Sequence, residues 1–143
     1  MRVKLAENSE QLELISPVLV QLRPQYSTES LIEQILLQQK EGYRVAYVED
    51  ENEVLCVAGF VMGQKLAWQK YIYVDDLVTS EARRSTGAGK FLIDWLKDYA
   101  REQGCQQLHL DSGVTRFGAH RFYLREGFDI SSHHFAVVDL DAD

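Results

Sequence analysis

The stretch Tyr71-Ile72-Tyr73-Val74-Asp75-Asp76-Leu77-Val78-Thr79, followed shortly by Arg84-Ser85-Thr86-Gly87-Ala88-Gly89, decides how this chain folds. The first run is apolar, aromatic and β-branched and reads as a strand from Trp68 to Thr79. After the glycine pair, Ala88, Phe91, Leu92, Trp95, Leu96, Tyr99 and Ala100 recur at steps of three and four. That spacing predicts an amphipathic helix from Gly87 to Gln103, stopped by Gly104. A strand, a tight loop and a helix start together make an anion site. The first backbone N–H groups of a helix lack partners within it, and the helix dipole adds positive potential there. Glycines let such a backbone approach a ligand with no Cβ in between.

Two familiar phosphate loops do not fit. A P-loop requires glycine five positions before Gly89 and Ser or Thr after Lys90, where this chain has Arg84 and Phe91. The dinucleotide fingerprint requires a third glycine three residues past Gly89, where Leu92 stands.

Outward from this centre, Val3 to Ala6 reads as a short strand. Ser9 is a candidate cap for a helix through about Gln21, which Pro24 ends; Thr28 is a candidate cap for a second helix ending near Gly42. Tyr43–Glu49 and Val54–Gly63 read as a strand pair joined by the charged turn Asp50-Glu51-Asn52-Glu53. Gln107–Asp111 reads as a strand, Arg116–Arg125 as a short helix, and Phe128 onward as one or two closing strands. Early antiparallel strands followed by a β-α-β unit predict a mixed α/β fold, a mostly antiparallel central sheet with helices on both faces. At 143 residues the chain is expected to form a single domain over 1–143.

The formal charge of −7 argues against a nucleic-acid partner, which calls for a basic stripe. Cys56 and Cys105 stand far apart and read as incidental thiols of a reducing compartment. No stretch approaches bilayer-spanning length, so a cytoplasmic location is expected. His133 and His134, being adjacent, would point to opposite faces of a strand, His109 is expected to face outward, and no metal site is expected.

Arg-x-x-Gly-x-Gly directly after an apolar strand resembles the coenzyme A pyrophosphate loop of the GCN5-related N-acetyltransferases. The second half adds Ala119-His120-Arg121-Phe122-Tyr123-Leu124-Arg125-Glu126-Gly127-Phe128, similar to that family's Ala-x-x-Phe-Tyr-x-x-x-Gly-Phe. Both motifs stand in the family's order. One departure is Arg116, where many members carry Asn. The Ala119–Gly127 segment also resembles the aminoalkylphosphonate acetyltransferases. The resemblance implies the acyl-CoA N-acyltransferase fold and acetyl-CoA as cosubstrate, and it allows a homodimer.

Acetyl transfer to an amine needs a neutral nitrogen, a polarised thioester carbonyl and a protonated leaving thiolate. The resemblance places Tyr123 beside the coenzyme sulfur, and a phenol of pKa about 10 can protonate a thiolate whose acid has pKa about 8.5. The other reading of Phe122-Tyr123 is a core aromatic pair. Asp75 or Asp76 is the candidate base. Strand alternation predicts that only one of them faces the cleft, and the resemblance, in which an acidic residue two before the Leu of this strand is frequent, favours Asp75. Backbone groups of Leu77, Val78 and Thr79 are the expected donors to the thioester and pantetheine. Arg84, Ser85, Thr86, Gly87, Ala88, Gly89 and Lys90 are the expected pyrophosphate site, with Arg83 adding charge. Arg23, Tyr26, Asp111 and His120 are candidate acceptor contacts. The expected reaction is direct attack by a primary amine, from a small molecule, in a ternary complex. The alternatives are a protein N-terminus or lysine as acceptor, or a non-catalytic acetyl-CoA sensor.

Overall fold

A computed structural model of the chain describes residues 1–141. Two compact units divide it, Met1–Leu110 and Asp111–Asp143. The first holds a five-stranded sheet of β1 (Arg2–Leu5), β2 (Arg44–Asp50), β3 (Glu53–Lys65), β4 (Gln69–Thr79) and β5 (Gln107–Leu110), in that spatial order. The first three pairings are antiparallel, and β4 with β5 is parallel. Helices α1 (Ser9–Leu22) and α2 (Thr28–Gln39) follow β1, and α3 (Ala88–Glu102) makes the crossover from β4 to β5. The mixed α/β sheet expected from the sequence is therefore present.

Side-chain alternation gives the sheet its two faces. Val45, Tyr47 and Val57 bury into one core with Leu12, Ile15, Leu19, Leu31 and Ile35 of α1 and α2. Neighbouring residues serve the other face, where the Phe60 ring meets Tyr99 of α3 edge-on at 5.9 Å. The turn between β2 and β3 is tighter than expected. Glu51 and Asn52 alone form it, at φ 50° and 66°, the left-handed pair suited to a two-residue hairpin.

Helix starts lie one residue earlier than predicted. Asn8, not Ser9, caps α1 by accepting from Gln11 N at 2.8 Å, and Gln11 closes a capping box. Ser27, not Thr28, caps α2 in the same way with Ser30. In both places two adjacent residues could cap, and the one whose side chain reaches the third N–H wins. Pro17 lies inside α1 and removes the donor that Glu13 O would use, but Ser16 Oγ donates to that carbonyl at 3.1 Å.

The second unit carries α4 (Phe117–Arg125). Gly127, at φ 98°, reverses the chain after it, and Phe128 N bonds Tyr123 O at 3.0 Å. The closing strands expected from Phe128 onward are absent among the described residues. The segment is without regular structure and exposes Ile130, Phe135, Val137, Val138 and Leu140. Strand propensity without a hydrogen-bonding neighbour does not make a strand. No helix among the described residues is long and apolar enough to cross a membrane.

Candidate active site

The centre of the first unit is a break in the β3–β4 ladder. Gly59 pairs with Asp76, but Phe60 pairs with Val74, so Asp75 is an extra residue on β4. Such a β-bulge suspends alternation. Val74 faces α3, as its partner Phe60 does, and Asp75 turns to the opposite face. Asp76, opposite Gly59, stays on that same face. The expectation that only one of the two carboxylates can face the cleft is thus overturned: both line one cavity of about 280 Å³, beside Arg23, Tyr26 and Tyr43.

The two carboxylates are in different states. Asp76 is fully engaged: Arg23 Nε donates to its Oδ1 at 2.8 Å and Tyr43 Oη to its Oδ2 at 2.7 Å. Arg23 Nη2 also donates to the Asp75 carbonyl at 3.1 Å, which fastens the α1 end to the bulge. The Asp75 carboxylate has no hydrogen-bond partner among the described residues. Partial loss of hydration, reinforced by the Asp76 charge and opposed by Arg23, raises its pKa above the ordinary aspartate value. Burial, with the Asp76 carboxylate adding to it, pushes the Tyr43 phenol far above its usual range, so it stays a neutral donor.

Tyr43 reaches Asp76 by crossing the backbone of Gly59. A Cβ placed on Gly59 would lie 1.6 Å from Tyr43 Oη, so no side chain fits there. The sequence reading missed both residues. The available signal was Gly59 itself, an isolated glycine inside an apolar strand, which marks a bulge or a close approach.

Past the bulge, β4 continues to Thr79 while its pairing with β5 stops at Val74. One edge of Asp75–Thr79, including Leu77, Val78 and Thr79, therefore has no neighbouring strand among the described residues and can offer backbone groups to a ligand. A single 3₁₀ turn, Glu81–Arg83, then leads into the glycine loop. Arg83 does not serve that loop as expected: its guanidinium is clamped by Glu53 through two 2.6 Å contacts. Arg84 and Ser85 are exposed, Ser85 at φ 65°, and Thr86 Oγ1 donates to Arg83 O at 3.1 Å.

Gly87 is the N-cap of α3 at φ 84° and has no side chain to bond the first N–H groups. Phe91 N bonds Gly87 O at 3.0 Å, and the first N–H groups of a helix have no acceptor within it. A Cβ on Gly87 would meet nothing within 4 Å. Open space over a helix start suits a pyrophosphate. Lys90 forms a 3.3 Å ion pair with Asp94 one turn on.

The remaining candidates belong to the second unit. Tyr123 is buried on α4, with the Phe122 and Phe128 rings edge-on at 5.5 and 5.8 Å. His120 Nε2 donates to Gly113 O at 2.7 Å. Asp111 lies 3.5 Å from His134 Nδ1. Ser112 Oγ is shielded from water and has no hydrogen-bond partner among the described residues. His109 faces outward as expected, where its ring stacks on the partly exposed Trp68 at 3.4 Å between ring centres.

Known proteins resemble this chain in sequence and in fold. The model of the acetyltransferase (GNAT) family matches residues 9–128. The chain is 31% identical over 121 residues to the uncharacterized N-acetyltransferase YhdJ of Bacillus subtilis (strain 168), covering 83% of this chain and 85% of that protein. A 62-residue stretch is 36% identical to the aminoalkylphosphonate N-acetyltransferase of Salmonella typhimurium, covering 43% of this chain and 40% of that one. The fold is also that of the aminoglycoside N-acetyltransferase AAC(6')-Iy in complex with CoA, with a TM-score of 0.78 over 96% of this chain and 94% of the other at 14% identity. This chain belongs to the GNAT family and is an acetyltransferase that uses acetyl-CoA.

Proposed function

We propose that this enzyme acetylates a primary amine of a small molecule, by direct attack in a ternary complex. The observation that carries the reading is the unpaired Asp75 carboxylate at the bulge, facing a small cavity on the strand that leads into the glycine loop. A carboxylate with a raised pKa is a better proton acceptor than an ordinary aspartate. The amine nitrogen forms its bond to the thioester carbonyl carbon as the carbon–sulfur bond breaks. The amine proton passes to Asp75, directly or through water, and Tyr123 returns a proton to the departing sulfur. Asp76 holds Arg23 and Tyr43 as the cavity wall. Leu77, Val78 and Thr79 offer backbone groups to the thioester and pantetheine, and residues 84–90 hold the pyrophosphate. Holding the two substrates side by side supplies much of the rate without a covalent enzyme intermediate.

A cavity of about 280 Å³ supports a small acceptor, since drug-sized sites begin near about 300 Å³. The free thiols Cys56 and Cys105 agree with a cytoplasmic setting, and the exposed apolar residues after Phe128 agree with a homodimer. The test is thiol release from acetyl-CoA by the purified protein across a panel of primary amines. Amine-dependent release is expected, and silence across small amines refutes the reading.

A further inference from the structure

The charge of the acceptor follows from how the cavity spends its own charges, given the amine acetylation proposed above. Among the described residues of the lining, Arg23 is the one basic side chain, against Asp75 and Asp76. Two of its nitrogens are already committed, to Asp76 and to the Asp75 carbonyl. Around them stand neutral groups: Tyr43, held as a phenol, and the amides of Gln34 and Gln38, joined at 3.0 Å. With Asp75 ionised, the described lining residues carry one net negative charge, Arg23 being the cation that Asp76 pairs.

We infer that the cavity selects small amines whose far end is cationic or neutral, diamines above all, and rejects amines ending in a phosphonate. An entering phosphonate would give up part of its hydration, meet only the remaining N–H donors of an Arg23 already paired with Asp76, and sit in the field of Asp75. Like charges brought together in this way weaken binding. A second ammonium instead meets amide oxygens and a favourable field. The substrate in the name of the Salmonella relative therefore does not carry over, although a 62-residue stretch is 36% identical to it.

The test compares a three-carbon diamine with a three-carbon aminoalkylphosphonate, so that length is matched and only the far charge differs. Thiol release from acetyl-CoA gives kcat/KM, and calorimetry with coenzyme A present gives binding. The diamine is expected to be preferred by about tenfold or more, a 1.4 kcal/mol difference. Gln38→Lys, which adds a cation to the lining, is expected to narrow that ratio by about tenfold. Equal or better use of the phosphonate by the unaltered enzyme overturns the inference and leaves amine acetylation standing. Preferential diamine binding without thiol release upholds the charge selection and removes the reading of small-amine acetylation. Binding of neither compound overturns the inference.

Discussion

Gly59→Ala is the sharpest test of how the site is held. The new methyl carbon would lie 1.6 Å from Tyr43 Oη, 2.4 Å from Cζ and 2.9 Å from Cε1, all well inside contact distance. Tyr43 is buried at 5% exposure, so its ring cannot slide into solvent without opening the core it shares with Val45 and Ile35. Displacing it breaks the 2.7 Å bond to Asp76, a hydrogen bond to a charged group worth about 1.5–3 kcal/mol. Overpacking adds about 1–3 kcal/mol. Alanine's better fit to a strand returns about 0.5–1 kcal/mol. The net loss is about 2–5 kcal/mol from a total stability of about 5–15 kcal/mol. Denaturant unfolding reads it directly. In a Tyr43→Ala background the space is vacated, and the same substitution is expected to cost less than about 1 kcal/mol. A Gly59→Ala protein within about 0.5 kcal/mol of the parent, or a penalty that simply adds to that of Tyr43→Ala, refutes the reasoning.

Other consequences follow from the same geometry. Tyr123→Phe is expected to leave acetyl-CoA binding intact while turnover falls by about a hundredfold or more; stopped-flow thiol release with separate calorimetry checks both. Asp75→Asn should lower kcat comparably and remove the acid limb of the pH profile. The same variant should unfold later than the parent near neutral pH. The folded pKa of Asp75 is raised, so its contribution to stability is present below the unfolded aspartate value and lost as pH rises through the folded one. The advantage of Asn should therefore vanish in acid, and equal midpoints at both pH values count against the assignment. Gly87→Ala forces a side chain into φ 84°, at about 1–2 kcal/mol, and should raise the KM for acetyl-CoA far more than it lowers kcat in steady-state assays.

Much of this fold was legible in the sequence because its signals are local. The apolar residues of α3 step by three and four, and the structure buries Leu92, Leu96 and Ala100 accordingly. Glycine at 87 and 104 marks both ends of that helix at positive φ. Caps slipped by one residue because Asn8-Ser9 and Ser27-Thr28 each offer two candidates, and only the reach of the side chain separates them. The residues after Phe128 were misread for a different reason. Their composition favours strand, but a strand is a pairing, and no pattern in Phe135–Leu140 names a partner.

The bulge at Asp75 shows why a site is harder to read than a fold. Two adjacent aspartates on a strand look like one inward and one outward residue, and nothing local contradicts that. What changes the outcome is a pairing across the sheet, where Gly59 takes Asp76 and Phe60 takes Val74. The extra residue brings both carboxylates to one face, where repulsion would be costly if both were left unpaired. Arg23 and Tyr43, remote in sequence, satisfy one of them, and Gly59 makes room for the tyrosine to do so. The other carboxylate is left unpaired with its pKa raised, which is the state a proton acceptor requires. Four separate segments are needed to create one available base, so only the assembled sheet displays it.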